Sequence, residues 1–317
     1  GFGIQPNFWR APNDNDYGNG APKRLHVWKK SSKDFHVTDT KVSTEDKAVL
    51  LQATYLLAAG NLYVVTYKIY PSGIVHVNAK FTSTDMQAAE TEVSEATRMA
   101  TFTPGSDAAR KAASKLEVPR IGVRFRLPAQ MNNVQYFGRG PEENYIDRNH
   151  GTMVGIYQTT ADKMYFNYVR PQENGHHTDT RWLNLSPDKG NGLVIVADSL
   201  IGFNALRNSV EDFDSEEALP HPYQWNNFSP EEAANHDEKA ARNVLRRMHH
   251  VNDITPRDFV EVCVDMKQQG VGGYDSWGAR PEPFHQIPAN REYNWGFTLV
   301  PVRSGSQATE ATKYDYR

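Results

Sequence analysis

The stretch FVEVCVDM, residues Phe259–Met266, has a valine at every second position, alternating with Glu, Cys and Asp. This alternation is typical of a β-strand. Similar β-rich segments recur along the chain, at residues 35–40, 48–57, 62–70, 74–81, 121–127, 192–197 and 295–300. The segments at 62–70 and 74–81 flank the turn Pro71-Ser72-Gly73 and predict a hairpin. Many short strands with few helices predict an all-β sandwich or barrel.

The 317 residues fit one large β domain, because no linker rich in Pro, Gly and Ser divides them and no repeat period indicates a propeller. Residues 82–118 are rich in Ala, Ser, Thr and Glu, and we interpret them as an insertion at the surface. Residues 229–248 begin with Ser-Pro-Glu-Glu and predict a short helix. Residues 304–317 form a polar tail that we expect to be frayed.

Charge and cysteine content exclude several classes of function. The net charge of −3 provides no basic field, so nucleic acid and anionic membranes are poor partners. The sequence contains no run of about 18 apolar residues, which a membrane-spanning helix would need. The single cysteine, Cys263, excludes a disulfide within the chain, and its valine neighbours indicate an inert strand residue.

Two acidic residues stand side by side in GRGPEENYIDR, residues 138–148. Glycoside hydrolysis needs a pair of carboxylates, one on each side of the scissile bond. Glu142 and Glu143 are adjacent on an extended segment and point to opposite faces, so they do not form such a pair. We expect instead that Glu143, Asp147 and Arg148 form structural ion pairs and cap turns.

Other polar clusters have plausible structural roles. His176 and His177 follow Glu173 in QENGHHTDTR, but no third ligand lies at metal spacing. The favoured role is structural or solvent-exposed, with acid–base work on a sugar ring by His177 and Glu173 as the alternative. The Asp-Asn-Asp run at residues 14–16 could ligate a metal, although turn formation is the commoner use of these residues.

The stretch GVGGYDSWG, residues Gly270–Gly278, is the strongest candidate for a binding loop. Its four glycines permit sharp turns or the close approach of a ligand to the backbone. A tryptophan on such a loop needs to pack in the core or bind something. The residues alone leave both possibilities open for Trp277.

Four motifs carry a resemblance to a known family: RAPNDNDYG (10–18), GRGPEENYIDR (138–148), YVRPQENG…TRWL (168–183) and GGYDSWG (272–278). The same motifs occur in the same order in the C-terminal domain, or small chain, of large bacterial β-galactosidases of glycoside hydrolase family 2. The chain resembles that domain from about Trp9 to Val300. The resemblance implies a large antiparallel super-sandwich, similar to the galactose mutarotases.

The resemblance also implies which functional groups this chain has. The family's catalytic glutamates and its magnesium and sodium ligands belong to a (β/α)₈ barrel domain absent from this sequence, so we expect no catalytic residue, metal or cofactor here. It implies that Trp277 forms a wall of the galactose site, against the apolar C–H face of the sugar. It further implies that residues 18–27 form a mobile loop, with Gly18 and Gly20 as its hinge.

Three functions follow as hypotheses. The first is a domain of a retaining β-galactosidase that hydrolyses terminal non-reducing β-D-galactosides, inactive alone, whose homo-oligomeric parent resides in the bacterial cytoplasm or periplasm. The second is a separate carbohydrate-binding or structural sandwich, with residues 165–168 and 221–225 as candidate contacts. The third is a mutarotase-like epimerase that uses His177 and Glu173.

Overall fold

A computed structural model of the chain describes residues 3–58, 60–83, 117–214, 250–275, 278–304 and 307–313. Within these ranges the architecture is an antiparallel sheet of twelve strands. The strands are β1 (Gln5–Asn7), β2 (His36–Glu45), β3 (Ala48–Leu56), β4 (Leu62–Ile69), β5 (Val75–Thr82), β6 (Arg120–Pro128), β7 (Asn133–Gly140), β8 (Met153–Thr160), β9 (His177–Ser186), β10 (Gly192–Leu206), β11 (Phe259–Gln268) and β12 (Tyr293–Val302). The predicted all-β fold is confirmed.

Helices in the described ranges are short. They are α1 (Asp14–Gly18), α2 (Ala21–Arg24), α3 (His26–Ser31), α4 (Val210–Phe213) and α5 (Ala308–Ala311), with 3₁₀ turns at Val251–Asp253 and Pro283–His285. None of these helices is long and apolar enough to cross a membrane. Three of the five precede β2, so the helical part of the described chain is concentrated near the N-terminus.

The long strand β10 is the branch point of the sheet. Its first half pairs with β12, as in Val194 opposite Val300, and its second half pairs with β11, as in Phe203 opposite Val264. Its other edge pairs with β9, with register shifts between Val196 and Ile201. One path therefore runs β1-β6-β11-β10-β12-β5-β4-β3-β2, and β9, β7 and β8 leave it at β10.

The β4–β5 hairpin forms as predicted, and Gly73 takes a φ of +83° in its turn. Tyr63 of β4 and Phe81 of β5 are completely buried. Phe8 packs edge-on against Tyr63, with ring centroids 5.0 Å apart, and stacks on Trp28 of α3 at 5.9 Å. This aromatic cluster fixes the N-terminal helices on the sheet.

Both faces of β11 are buried. Val260, Val262 and Val264 line the hydrophobic core, and the intervening polar set, including Glu261 and Asp265, is also inaccessible. The polar set is tolerated because arginines of β6 lie beside it. Cys263 is buried in the same row, and burial raises the pKa of its thiol, as expected for an inert strand residue.

Some sequence-based boundaries need correction. The tail is not frayed at residues 307–313, because Ala308 and Ala311 of α5 pack against Val300 and Val302. Most of the interpreted insertion at 82–118, from 84 to 116, and the predicted helix at 229–248 lie outside the described residues.

Candidate functional site

The four motifs meet at one end of the fold, which we call the loop end: residues 10–20, 141–150, 166–175, 270–275 and 278–285. The Glu173 amide donates to the Ala11 carbonyl at 3.1 Å, which joins the third motif to the first. Arg170 binds Asp14 at 3.0 Å and stacks on the ring of Tyr17. Segments far apart in sequence therefore form one contiguous surface.

Helix α1 begins with a capping box that also contacts the glycine-rich loop. The Asn13 side chain accepts from the Asp16 amide at 2.9 Å, and the Asp16 carboxylate accepts from the Asn13 amide at 3.1 Å. The side-chain amide of Asn13 also donates to the carbonyl of Val271. The run at residues 14–16 thus helps build a helix start, consistent with the favoured structural use.

Arg10 joins α1 to the loop that begins at Gly270. Its guanidinium donates to the Asp16 carboxylate at 2.9 Å and to the Gly270 carbonyl at 3.0 Å. Both side chains of the ion pair are almost inaccessible to water. Burial raises the pKa of Asp16, although the positive charge of Arg10 acts in the opposite direction.

Asp147 contacts the same loop from the second motif. Its two carboxylate oxygens accept from successive backbone amides, Val271 at 3.1 Å and Gly272 at 2.9 Å. Asp147 was expected to cap a turn or form an ion pair, and it binds the backbone amides of this irregular loop instead. No local pattern around Asp147 indicates that its partner is the glycine-rich loop, more than 120 residues away.

Glu142 and Glu143 lie in different environments. Glu142 is exposed, whereas Glu143 points inward and accepts from the Gly175 amide at 2.8 Å. Glu143 also binds Arg148 at 2.6 Å and accepts from the hydroxyl of Tyr168. The predicted ion pair is confirmed, and its role is to join the second and third motifs.

Trp277 and Ser276 lie outside the described residues, and the structure does not test the predicted role of Trp277. The residues on either side are described. The Ala279 amide donates to the Asp275 carboxylate at 3.0 Å, across the intervening residues. Gly278 has a φ of +115°, and a Cβ placed on it would lie 2.3 Å from the carbonyl carbon of Gly18. The backbone that follows Trp277 is therefore in direct contact with the end of α1.

The segment at residues 18–27, predicted as a mobile loop, is largely helical. Gly18 ends α1, and Gly20 takes a φ of +74° before α2, with open space around its Cβ position. Leu25, between α2 and α3, is buried in the core. The conformation of Gly20 is one that glycine adopts at little cost, but the predicted hinge movement remains a prediction.

Buried charges lie beneath the loop end. Arg120 is completely inaccessible and binds Glu173 at 2.7 Å and Asn204 at 3.0 Å, with its Nε 3.3 Å from Asp265. Burial raises the pKa of Asp265 to about 7, against the effect of the Arg120 charge. This cluster is not visible in the sequence, because Arg120 alternates with apolar residues as a solvent-facing strand residue would.

His176 and His177 are both buried and hydrogen-bonded within the fold. His176 contacts the Asn204 side chain at 2.9 Å, and burial together with the Arg120 charge lowers its pKa to about 3. His177 contacts the Gly175 carbonyl at 3.1 Å, and burial lowers its pKa to about 4. Glu173 is held by Arg120, so the arrangement does not support an acid–base pair with His177.

A further carboxylate joins the far side of the glycine-rich loop to α2. Glu117 is buried between the guanidinium groups of Arg24 and Arg280, the latter at 2.9 Å. Burial and the neighbouring Arg280 lower the pKa of Arg24 to about 9. The two ends of the segment 270–280 are thus both held by charged side chains.

Two small cavities adjoin these charges. One is lined by Arg10, Asp16 and Gln269, and the other by Arg120, Glu173 and Asn204. Each has a volume of about 10 Å³, which holds one water molecule and does not admit a sugar ring. Among the described residues, no group of three or more His, Cys, Asp or Glu side chains could hold a metal ion.

Comparison with known proteins gives one consistent family. The family model described as "Beta galactosidase small chain" matches residues 2–299. A β-galactosidase of Priestia megaterium is 30% identical over 302 residues, which are 95% of this chain and 23% of that protein. β-Galactosidases of Streptococcus thermophilus and Lactobacillus delbrueckii subsp. bulgaricus are each 27% identical, over 95% and 93% of this chain and 24% and 23% of their own lengths. The chain spans about a quarter of the length of these curated relatives.

Proposed function

The chain belongs to the β-galactosidase small-chain family, and from this premise we propose that it is the C-terminal domain of a retaining β-galactosidase. The substrate would be a terminal non-reducing β-D-galactoside. The carboxylates that cleave the bond would come from a barrel domain elsewhere in the polypeptide, together with the Mg²⁺ and Na⁺ of the complete enzyme. This chain would contribute Trp277 and the segment 18–27 to the sugar site.

The observation that carries the proposal is the convergence of the four motifs at the loop end. Arg10, Asn13 and Asp147 all bind the backbone of the loop that leads to Trp277. The end of α1 contacts the backbone that follows Trp277. A side chain that serves as a rigid wall for a sugar needs such support, because a displacement of 1 Å can greatly reduce activity.

The loop end also has a surface suited to packing against another domain. Four large apolar or aromatic side chains are exposed there: Phe166, Val169, Tyr274 and Phe284. Exposed apolar groups that are concentrated on one surface commonly mark an interaction site. We propose that this surface meets the barrel domain, so that the galactoside lies between the two and the isolated chain has no hydrolytic activity.

The first experiment is hydrolysis of nitrophenyl β-D-galactoside by the purified 317-residue chain and by the longer polypeptide that contains it. The chain alone is expected to be inactive and the longer polypeptide active. In the active enzyme, Trp277→Ala is expected to raise KM by about 5- to 150-fold, since stacking on an aromatic face contributes roughly 1–3 kcal/mol. Trp277→Phe, which keeps a flat apolar ring, is expected to recover part of this loss.

The control is Trp295→Phe, a change to a buried core tryptophan of β12. This variant is expected to lower the thermal midpoint and to leave KM unchanged. Hydrolysis by the 317-residue chain itself, unaffected by Trp277→Ala, would refute the proposed function and direct attention to its own carboxylates.

A further inference from the structure

We propose that Asp147 is a positioning residue for galactoside binding, which acts by fixing the backbone of the loop that carries Trp277. The role assigned to Trp277 rests on the proposed function. The contact between Asp147 and the loop is a feature of the described residues and stands independently. Asp147 itself is not expected to touch the sugar or the reacting atoms.

The carboxylate of Asp147 binds the loop with both oxygens. Oδ1 accepts from the Val271 amide at 3.1 Å, and Oδ2 accepts from the Gly272 amide at 2.9 Å. Two successive peptide groups are therefore oriented by one rigid, charged acceptor. Charge-assisted hydrogen bonds of this kind are about twice as strong as those between neutral groups.

The Gly270 amide donates to the His285 carbonyl at 2.9 Å, and after Gly270 side chains support the loop. Strand β11 ends at Gln268, so the amides of Val271 and Gly272 have no ladder partner and are paired with Asp147 instead. The adjacent carbonyls are bound as well, Gly270 by Arg10 and Val271 by Asn13. Of these three side chains, Asp147 binds the loop nearest to Trp277, because its contact is with Gly272.

Asp147 is placed by a tight turn. Tyr145 and Arg148 exchange backbone hydrogen bonds, at 2.7 Å and 3.3 Å, which leaves Asp147 at the tip of the turn. The ring of Tyr145 is buried against His176 in a stacked arrangement. Because this turn rests on the buried part of the fold, the carboxylate is a fixed reference point for the loop.

The glycine at the start of the loop matches this contact. A Cβ added to Gly270 would lie 2.4 Å from Oδ2 and 2.7 Å from Cγ of Asp147. Alanine at position 270 therefore pushes the Asp147 carboxylate away from the loop amides that it binds. At Gly272 the added Cβ would lie 3.4 Å from Oδ2, an ordinary contact distance. The two glycines provide a matched pair of methyl substitutions.

The test measures kcat and KM for nitrophenyl β-D-galactoside in the active enzyme that contains this chain. Asp147→Ala is expected to raise KM roughly tenfold with a smaller change in kcat, because the sugar wall is displaced while the carboxylates elsewhere are untouched. Asp147→Asn retains one acceptor oxygen and is expected to fall between Asp147→Ala and the parent. Glu142→Ala removes an exposed carboxylate from the same segment and is the control, with KM unchanged.

Double variants distinguish positioning from a general structural role. Gly270→Ala is expected to raise KM more than Gly272→Ala does. Gly270→Ala combined with Asp147→Ala is expected to lie close to Asp147→Ala alone, since the clash with the carboxylate is gone and only the 3.0 Å contact with Pro281 Cβ is left. Asp147→Ala combined with Trp277→Ala is expected to have the KM of Trp277→Ala alone. A purely structural residue would instead reduce the active fraction and the thermal midpoint while KM stayed constant.

Failure of this inference is distinguishable from failure of the proposed function. If Trp277→Ala raises KM and Asp147→Ala and Asp147→Asn do not, the positioning role is wrong and the proposed function stands. If Trp277→Ala leaves KM unchanged, the proposed function is refuted and the positioning role is refuted with it. If Asp147→Ala does not fold, Asp147→Asn and Gly270→Ala decide the question by the same comparison of KM values.

Discussion

Replacement of Arg120 by leucine tests whether the buried charges beneath the loop end are held together by this one guanidinium. Arg120 is the cation next to two buried carboxylates, with Nη2 2.7 Å from Glu173 and Nε 3.3 Å from Asp265. Its loss leaves both carboxylates in the interior without that cation. Breaking a buried pair in this way costs about 3–5 kcal/mol of the free energy of unfolding. With a slope of about 3 kcal/mol per M, the urea midpoint falls by roughly 1–1.7 M.

The pH dependence of the loss makes the test specific. Burial raises the pKa of Asp265 to about 7 even with Arg120 present, and removal of Arg120 raises it further. A carboxyl whose folded pKa exceeds its unfolded value costs stability above the folded pKa, and this cost is relieved as the pH falls through that value. The deficit of the variant is therefore expected to be smaller at pH 5 than at pH 8.

The assay is urea unfolding of the 317-residue chain at pH 5, 7 and 8, followed by far-ultraviolet circular dichroism. Arg181→Leu is the control, since Arg181 is a half-buried strand arginine whose guanidinium donates to the Asp179 carbonyl. It is expected to cost about 1 kcal/mol or less. Equal losses in the two variants, or a deficit for Arg120→Leu that grows as the pH falls, would show that the cluster is not organised by Arg120.

Two further predictions concern the loop end. Gly278→Ala is expected to cost about 1–3 kcal/mol of the free energy of unfolding and to raise KM in the active enzyme. The reason is that its Cβ would meet the Gly18 backbone at 2.3 Å and that φ at this position is +115°. Gly151→Ala, with open space around the added methyl group, is the control for both the thermal midpoint and the kinetics. His177 is expected to stay neutral from pH 5 to 8, since burial lowers its pKa to about 4. The stability that His177 contributes is lost as the pH falls below 6.5, the pKa of the unfolded chain. A His177 ring resonance that titrates between pH 5 and 8 by NMR would contradict the buried environment.

Local pattern was sufficient to predict most strands but not the environment of their polar faces. Arg120 and Arg124 alternate with Ile121 and Val123, which is the pattern of a strand with one face in water. In the fold, β6 pairs with β11, and both arginines are buried beside acidic residues of that strand. Which strand becomes the neighbour is decided by topology, and no short window of the sequence contains that information.

The candidate site shows the same division between local and long-range information. The glycines of the loop were visible in the sequence because glycine has a local conformational role. The polar run at residues 14–16 indicated a turn or a metal site, and the helix start at Asn13 emerged only in the structure. The contacts of Asp147 with Val271 and of Arg10 with Gly270 join residues 124 and 260 positions apart. These contacts depend on the completed sheet, so a motif could indicate that a segment is special without indicating what it binds.

The position of the loop is consequently set by the sheet rather than by the loop itself. Arg120, in β6, binds Glu173, and the amide of Glu173 binds the carbonyl of Ala11, next to Arg10. Arg10 in turn binds the carbonyl of Gly270, so an unbroken series of contacts leads from the buried charges to the start of the loop. Because every member is buried, a disturbance at Arg120 is expected to reach the loop even where the chain stays folded. The conservative variant Arg120→Lys, measured in both the unfolding and the KM assays, therefore tests the same series of contacts. It perturbs the series at the buried end, whereas Asp147 variants perturb it at the loop.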